Sequence, residues 1–323
     1  MDPDPPLHET YKPLFDNTKI SSNNRRRLVT VEERDLPSID LSRLSQNELE
    51  KEKCKEEMAR AAHEWGFFQV INHGISMELL EKLREEQVRV FKQPFQNKCR
   101  EDKFLNFSAG SYRWGTPTAT SIGQLSWSEA FHIPMTDISS SSMEPFATKV
   151  ASVAQKLAEI LAEKLGHKST FFQESCLPST CYLRLNRYPP CPIPLDIYGI
   201  TPHTDSDFIT ILRQDQVGGL QLVKDGKWIS VKPNPDALII NIGDLFQAWS
   251  NDFYTSVEHC VVTHPTKERF SAAYFLCPSN ETVIESCSNP SVYTKFSFRE
   301  YMQKVQDDVQ LYGYKVGLPR FLP

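Results

Sequence analysis

The length, composition and charge of the chain exclude several classes of protein. Its 323 residues are 40% hydrophobic and 24% charged, with a formal net charge of −5 at pH 7, which is ordinary for a globular protein with a well-buried core. The mild acidity argues against a general nucleic-acid binder, because such proteins usually carry a strongly basic face. No apolar run approaches the roughly 20 residues of a membrane span, and we expect no signal peptide.

The cysteines indicate a reducing compartment. Eight of them are scattered along the chain, and none forms a C-x-x-C pair. Free thiols are the simplest explanation for this pattern in a chain too large to need disulfides. We therefore expect a cytoplasmic protein, with the nucleus as a second location, and neither a nucleic acid nor a membrane as its partner.

The first half of the chain is predicted to be mainly helical. Residues 1–34 are polar and marked by prolines, and we expect a loose N-terminal arm. Residues 35–175 then form a mainly helical region, in which Ser76 is the expected N-cap of one helix. Hydrophobic periodicity and glycine stops predict helices at 47–66, 76–94 and 144–166, and a strand at 67–74.

From about residue 176 the character of the chain changes to short strands separated by Pro, Gly and Asn-Asp turns. "KDGKW" (224–228) is a hairpin signal. Strands that follow a helical first half predict an α+β fold, in which helices support a β-barrel or a double-stranded β-helix (jelly-roll) core over 176–285. A C-terminal helix and tail are expected over 286–323. We expect one compact unit and a monomer.

A histidine and an aspartate, His203 and Asp205, stand two residues apart before an apolar run. Alternate side chains of a strand point to the same side, so both are expected to face one point. His259 is the best third ligand because it lies on a later predicted strand, whereas His264 precedes Pro265 and is typical of a turn. Two histidines and one carboxylate leave three octahedral positions open, as in non-haem Fe(II) oxygenases. A closed zinc site more often uses four protein ligands.

A second group of residues predicts an anion site. Arg269 and Ser271 face the same way on a predicted strand, and a buried arginine is costly unless it meets an anion. The planar guanidinium suits a carboxylate held by two hydrogen bonds. Upstream, "RLNRYPPCP" places Asn186 and Tyr188 on one strand face, where the tyrosine hydroxyl could reach the same anion.

These motifs resemble the plant 2-oxoglutarate- and Fe(II)-dependent dioxygenases. The H-x-D pair, the distant histidine and the R-x-S element (269–271) are present, and "NRYPPCP", "GGLQLVKDGKWISVKP" and "IINIGDLFQAWSN" match the family pattern. The resemblance extends from about Leu36 to Leu322. Within the family the chain is most similar to the gibberellin 2-oxidases, especially the group that acts on C20 gibberellins, through "SAGSYRWGTPTATS" and "LSWSEAFHIP".

The resemblance implies the cofactors and the residues that hold them. Fe(II) and 2-oxoglutarate are expected as cofactor and co-substrate, with O₂ as oxidant and ascorbate as reductant. The implied iron ligands are His203, Asp205 and His259. The implied 2-oxoglutarate-binding residues are Arg269, Ser271, Tyr188 and Asn186.

The same resemblance suggests residues that contact the substrate. A gibberellin is a rigid diterpenoid with carboxylate groups, so its pocket is expected to be mostly apolar with a cationic or hydroxyl anchor. We expect Arg113 or Tyr112 to be that anchor, and Trp114, Trp127 and Phe131 to form the walls. The alternative that Trp114 and Trp127 are ordinary core aromatics stays open.

Two positions depart from the family pattern. Cys260 follows the second histidine ligand, where the family commonly has arginine, and Arg213 stands where close relatives often carry an aromatic residue. If they lie near the pocket, they affect the choice of substrate and the carbon modified, and leave iron binding intact.

The expected function is hydroxylation of a gibberellin, at C2, which inactivates the hormone. One alternative keeps the site and changes the outcome, through another position, another carboxylated terpenoid or a non-oxidative conversion such as hydration. A non-catalytic binding protein is a further alternative, which the intact triad disfavours. A zinc hydrolase is disfavoured by Arg269 and Ser271.

Overall fold

The computed structural model describes residues 2–17, 31–100, 110–138, 143–167, 170–193 and 197–323. Within these ranges the α-helices are α1 (Leu7–Asn17), α2 (Glu48–Trp65), α3 (Met77–Phe91), α4 (Phe95–Lys98), α5 (Met135–Ile138), α6 (Glu144–Lys164), α7 (Thr170–Ser175), α8 (Asp244–Trp249) and α9 (Phe298–Tyr312). Short 3-10 helices cover Leu41–Ser45, Ile122–Gln124 and Leu318–Phe321.

The strands concentrate in the second half of the chain. The first five are β1 (Glu32–Arg34), β2 (Ser38–Asp40), β3 (Phe67–Ile71), β4 (Tyr112–Trp114) and β5 (Glu129–Pro134). The others are β6 (Tyr182–Tyr188), β7 (Tyr198–His203), β8 (Ile209–Gln214), β9 (Leu220–Lys224), β10 (Lys227–Val231), β11 (Leu238–Ile242), β12 (His259–Val262), β13 (Arg269–Leu276), β14 (Val283–Ile284) and β15 (Phe296–Ser297).

Two sheets form the centre of the fold. In the described residues the large sheet has the order β2-β3-β11-β8-β13-β6-β5-β4, and the small sheet has the order β1-β10-β9-β12-β7. The strands pair antiparallel, except that β1 runs parallel to β10 and β2 parallel to β3. The non-sequential order of the strands, with helices on one side, is the expected α+β jelly-roll fold. The N-terminal region adds strands β2 to β5 to the large sheet.

The main hydrophobic core lies between the large sheet and the helices. Helix α6 packs against α2 and against the outer face of β8 and β13. Strand β13 shows how this works, because Phe270, Ala272 and Tyr274 enter the core whereas Arg269 and Ser271 point to the cavity between the sheets. Alternation along one strand therefore separates the packing face from the functional face.

Local signals in the sequence are confirmed. The Ser76 hydroxyl accepts a hydrogen bond from the Leu79 amide at 3.4 Å, so it caps α3 as predicted. Strands β9 and β10 form the expected hairpin. Its two turn residues, Asp225 and Gly226, have φ of 52° and 73°, which is the left-handed conformation that a two-residue hairpin of this kind requires.

The expectation of a loose arm over residues 1–34 is wrong for two parts of it. Residues 7–17 form helix α1, in which Leu7 and Tyr11 are buried against Leu125 and Trp127. Strand β1 pairs with β10. The apolar side chains of α1 recur at helical spacing, and their burial outweighs the polar composition of the segment.

None of the described helices combines the length and the apolar character needed to cross a bilayer. The eight cysteines are free thiols, and five of them are almost completely buried: Cys54, Cys181, Cys191, Cys260 and Cys277.

Candidate iron and 2-oxoglutarate site

The three predicted metal ligands meet in the structure. Strand β7 ends at His203 and β12 begins at His259, and these two residues are direct partners in the antiparallel pair. Asp205 lies just beyond the end of β7. The ligand atoms of the three residues all lie within 4.8 Å of one another. Strand pairing, and the loop after β7, therefore create the cluster; the alternation along one strand that the sequence suggested is not the cause, since Asp205 is outside the strand.

Both imidazole rings are oriented by backbone carbonyls. Nδ1 of His203 lies 2.8 Å from the Thr201 carbonyl, and Nδ1 of His259 lies 3.0 Å from the Val257 carbonyl. A carbonyl can only accept, so Nδ1 carries the proton in each ring and Nε2 presents a lone pair. These Nε2 atoms face the carboxylate of Asp205, at 3.5 Å from His203 and 3.8 Å from His259.

The protonation of the cluster suits a metal. Burial, and the neighbouring His203, lower the pKa of His259 to about 4, so this ring is neutral near pH 7. Burial would raise the pKa of Asp205, but His259 and His203 and the hydroxyl of Thr210 together hold it well below its usual range. Two imidazoles and one carboxylate form the donor set of a facial triad.

The carboxylate of Asp205 is fixed by two side chains that sequence reasoning missed. Its Oδ2 accepts hydrogen bonds from the Thr210 hydroxyl at 2.6 Å and from the Asn241 amide at 2.8 Å. Thr210 lies on β8 and Asn241 on β11, which are adjacent strands of the large sheet. Such partners orient a ligand before the metal arrives. A threonine and an asparagine at inward positions of apolar strands were the signal available in the sequence.

The predicted anion site lies in the same cavity. Arg269 pairs with Tyr188, and Ser271 pairs with Asn186, across β13 and β6. The guanidinium carbon of Arg269 lies 4.7 Å from the centroid of the Tyr188 ring. Gly199 makes room for this ring, because a Cβ there would lie 2.4 Å from a ring carbon of Tyr188.

The hydrogen bonds of Arg269 are incomplete. It donates to Ser271 Oγ at 3.4 Å and to Gln214 Oε1 at 2.9 Å, while Arg269 Nε and Gln214 Nε2 are buried without a partner among the described residues. Buried unpaired donors are costly, and a free guanidinium donor at the cavity fits the carboxylate of 2-oxoglutarate. Gln214 is a residue that sequence reasoning missed.

The cavity between the two sheets has a volume of about 220 Å³. It contains the metal cluster, the anion site and several apolar side chains. The apolar lining residues are Phe67, Ile200, Leu212, Leu220, Val261, Phe275 and Met302. Met302 comes from helix α9, so the C-terminal helix closes one side of the cavity.

The five predicted substrate residues do not line this cavity. Tyr112 is buried and donates to Glu129 at 2.5 Å, and Phe131 packs against Phe91 and Tyr112. Trp127 is buried against α1 and donates to the Pro190 carbonyl at 3.2 Å. These three side chains pack in the core, so the structure gives no support to a contact between them and the substrate.

The other two substrate predictions lie on β4. Trp114 packs edge-on against Phe95. Arg113 is exposed and donates to the backbone carbonyls of Gly110 and Tyr112. Strand register places Arg113 opposite Ala130, which is opposite Asn186, so it shares the cavity face of the sheet near its edge. A role for Arg113 at the outer end of the site stays a prediction.

The remaining sequence candidates lie outside the cavity. His264 accepts hydrogen bonds from the amides of Thr266 and Lys267 at 3.1 and 3.0 Å, so it is the turn residue that the sequence predicted. Neither Arg213 nor Cys260 lines the cavity. The idea that these two departures lie near the substrate is not supported, since both side chains point away from it.

The comparisons with known proteins agree with this site. The 2OG-Fe(II) oxygenase superfamily matches residues 179–278, and the N-terminal region of non-haem dioxygenases in morphine synthesis matches residues 36–156. Gibberellin 2-beta-dioxygenase 8 of Arabidopsis thaliana is 61% identical, over 99% of this chain and 98% of that protein. Gibberellin 2-beta-dioxygenase 6 of Oryza sativa subsp. japonica is 48% identical, over 98% of this chain and 96% of that protein.

Solved structures show the same fold. JOX2 in complex with 2OG, Fe and JA superposes with a TM-score of 0.75 and 28% identity, covering 99% of both chains. The dioxygenase for auxin oxidation in rice superposes with a TM-score of 0.72 and 26% identity, over 90% of this chain and 100% of that chain. The resemblance found in the sequence is thus confirmed. This chain belongs to the 2OG-Fe(II) oxygenase superfamily, and it is a dioxygenase that uses Fe(II) and 2-oxoglutarate.

Proposed function

We propose that this enzyme hydroxylates a gibberellin at C2 and so inactivates the hormone. The observation that carries the proposal is the 61% identity, over nearly the full length of both chains, to a protein named gibberellin 2-beta-dioxygenase. The site supports it in general terms, because an apolar cavity with polar groups at defined points suits a rigid carboxylated hydrocarbon.

Different residues of the chain would bind the metal and the co-substrate. His203, Asp205 and His259 would hold Fe(II), and Arg269 with Ser271, Tyr188 and Asn186 would bind the carboxylate of 2-oxoglutarate that is remote from the metal. When bound, these groups supply oxidising chemistry in which one atom of O₂ becomes the new hydroxyl and the other enters succinate, with release of CO₂. The protein positions the reactants and excludes water.

Finer parts of the proposal follow the family resemblance. We infer that C20 gibberellins are the preferred substrates, that ascorbate is the reductant, and that the enzyme is a monomer of the cytoplasm and the nucleus. The free state of the eight cysteines supports a reducing compartment.

The test is incubation with Fe(II), 2-oxoglutarate and a panel of C19 and C20 gibberellins without oxygen, followed by O₂ and mass spectrometry. We expect one added oxygen atom, matching succinate, and loss of both in His203→Ala. His264→Ala is the matched control, since that ring lies in a turn, and it should keep its activity. A gain of water without succinate, or no added oxygen on any gibberellin, would contradict the proposal.

A further inference from the structure

A second arginine opens into the cavity. Arg184 lines it together with Asn186 and Tyr182. The side chain is half-buried, and among the described residues it makes one hydrogen bond, from its Nε to Asn186 Oδ1 at 2.7 Å. The two terminal nitrogens of the guanidinium therefore have no acceptor in the described part of the protein. A partly desolvated guanidinium with free donors is a carboxylate-binding group.

Arg184 and Arg269 stand at opposite ends of one polar row. Arg269 donates to Ser271 Oγ, Asn186 Nδ2 donates to the same oxygen at 3.3 Å, and Arg184 donates to Asn186. Strand positions 184, 186 and 188 of β6 share a face. The row thus orients two guanidinium groups toward different parts of one cavity, and Asn186 holds Arg184 in place.

The charges of the cavity favour a second anion. Asp205 is the one carboxylate among its lining residues, whereas two arginines line it. With Fe(II) in place the cavity would carry three net positive charges, and the two carboxylates of 2-oxoglutarate would leave one. Uncompensated charge in a partly buried cavity is unfavourable. A substrate with one carboxylate near Arg184 would restore neutrality.

The surroundings of Arg184 suit the hydrocarbon part of such a substrate. On the neighbouring strand Ala273 faces it, and the rings of Tyr182 and Phe275 are stacked at 4.5 Å. His132 faces it from β5, and its ring is neutral because burial and the adjacent arginines lower its pKa to about 3. No acidic side chain faces Arg184 from these strands in the described residues.

We propose that Arg184 binds the carboxylate of the organic substrate, as a subsite separate from the 2-oxoglutarate site at Arg269. This inference rests on the proposed function and names the residue that selects acidic terpenoids. Arg184 acts by binding and takes no part in the chemistry. A gibberellin or related acid would lie with its carboxylate at Arg184 and its ring system toward the metal cluster.

The experiment compares Arg184→Gln with wild type, on a gibberellin acid and on its methyl ester. We expect the variant to raise the KM for the acid about ten- to a hundredfold, with the KM for 2-oxoglutarate unchanged. Wild type should prefer the acid over the ester, and the variant should lose that preference. Arg89→Gln, which alters an exposed arginine of α3, is the matched control and should behave as wild type.

Three results would overturn the inference. If Arg184→Gln raised the KM for the acid and the KM for the ester equally, Arg184 would only hold Asn186 in place. A rise in the KM for 2-oxoglutarate would assign Arg184 to the co-substrate. If Arg113→Gln raised the KM for the acid strongly and Arg184→Gln did not change it, the residue that binds the substrate carboxylate would be Arg113 at the edge of the sheet.

A binding measurement separates this inference from the proposed function. Protein loaded with Mn(II) and 2-oxoglutarate is titrated with the gibberellin and with abietic acid, a tricyclic diterpenoid acid, each as acid and methyl ester. If gibberellins are not hydroxylated but the acids bind in preference to their esters through Arg184, the proposed function fails and the subsite stands. If hydroxylation occurs without that preference, the subsite fails alone.

Discussion

The protein has two clusters of buried charge, one where β7 and β12 of the small sheet meet and one near an edge of the large sheet, and the two differ in how their hydrogen bonds are used. The first, which we call the iron cluster, comprises His203, Asp205 and His259. The second, the closed cluster, comprises Glu129, Lys98, Arg187 and Tyr112, near the β4 edge of the sheet. Glu129 and Lys98 have side chains that are fully buried.

The closed cluster uses its donors and acceptors internally. Lys98 Nζ donates to Glu129 at 2.5 Å and to the carbonyls of Pro3 and Phe91 at 2.8 and 2.9 Å. Arg187 donates to Glu129 at 2.7 Å, and also to Asp4 and Glu268. Every member is paired, so nothing remains to bind a ligand.

In the iron cluster and the adjoining anion site, some metal-ligating atoms and hydrogen-bond donors have no partner among the described residues. Two imidazole lone pairs face a carboxylate that cannot donate to them, and Arg269 Nε and Gln214 Nε2 have no partner in the described residues. Burial of charge therefore does not by itself identify a functional site. Unused hydrogen-bonding and ligating capacity around a cavity does so.

The largest change in unfolding free energy is expected from a substitution that breaks the closed cluster. Glu129→Gln removes the charge that Lys98 and Arg187 share, and loss of one partner of a buried ion pair destabilises by about 3–5 kcal/mol. Urea unfolding measures the change. Glu174→Gln, at an exposed position, should have almost no effect. Unchanged stability in Glu129→Gln would show that the closed cluster is not a structural element.

The next effect concerns the anion site. Arg269→Lys keeps the charge but loses the planar fork and the bond to Gln214. We expect the KM for 2-oxoglutarate to rise about ten- to a hundredfold, with little change in unfolding free energy. Initial rates of succinate formation measure it. The prediction fails if the KM for 2-oxoglutarate stays at the wild-type value while stability falls.

A smaller change, in the affinity for the metal, is expected from a substitution that weakens the support of the loop that carries Asp205. Lys315 donates to the Thr204 carbonyl at 2.6 Å and to Asp244 at 2.9 Å, and the Asp244 amide donates to the Asp205 carbonyl at 2.9 Å. Removal of such a supporting contact weakens metal binding about tenfold. We expect this for Lys315→Met in a calorimetric titration with Mn(II). Lys304→Met, an exposed position on α9, should bind as wild type.

The sequence predicted the parts of the site that local motifs encode. His203, Asp205, His259, Arg269 and Ser271 carry the chemistry in their residue types and spacing, and the structure brings them together. The hairpin at 224–228 followed from the turn residues alone.

What the sequence did not reveal depends on pairing between distant strands. Gln214 and Asn241 became part of the site only through the register of β8, β11 and β13. Tyr112 and Phe131 were assigned to the substrate because polar or aromatic residues near a family motif suggest a pocket, but register turned both toward the core. A shift of one residue in strand register moves a side chain to the other face of the sheet, and the composition of the segment does not reveal which face it occupies.

The measurement that tests the central claim most directly is Mn(II) binding by Asp205→Asn, set beside its unfolding free energy. The substitution preserves the shape of the side chain and removes its charge. If Asp205 is buried for the metal, the variant should lose Mn(II) binding in the presence of 2-oxoglutarate, and its metal-free unfolding free energy should fall by much less than that of Glu129→Gln. Metal binding that persists, together with a large loss of metal-free stability, would mean that the iron cluster is a second closed cluster whose charges serve the fold.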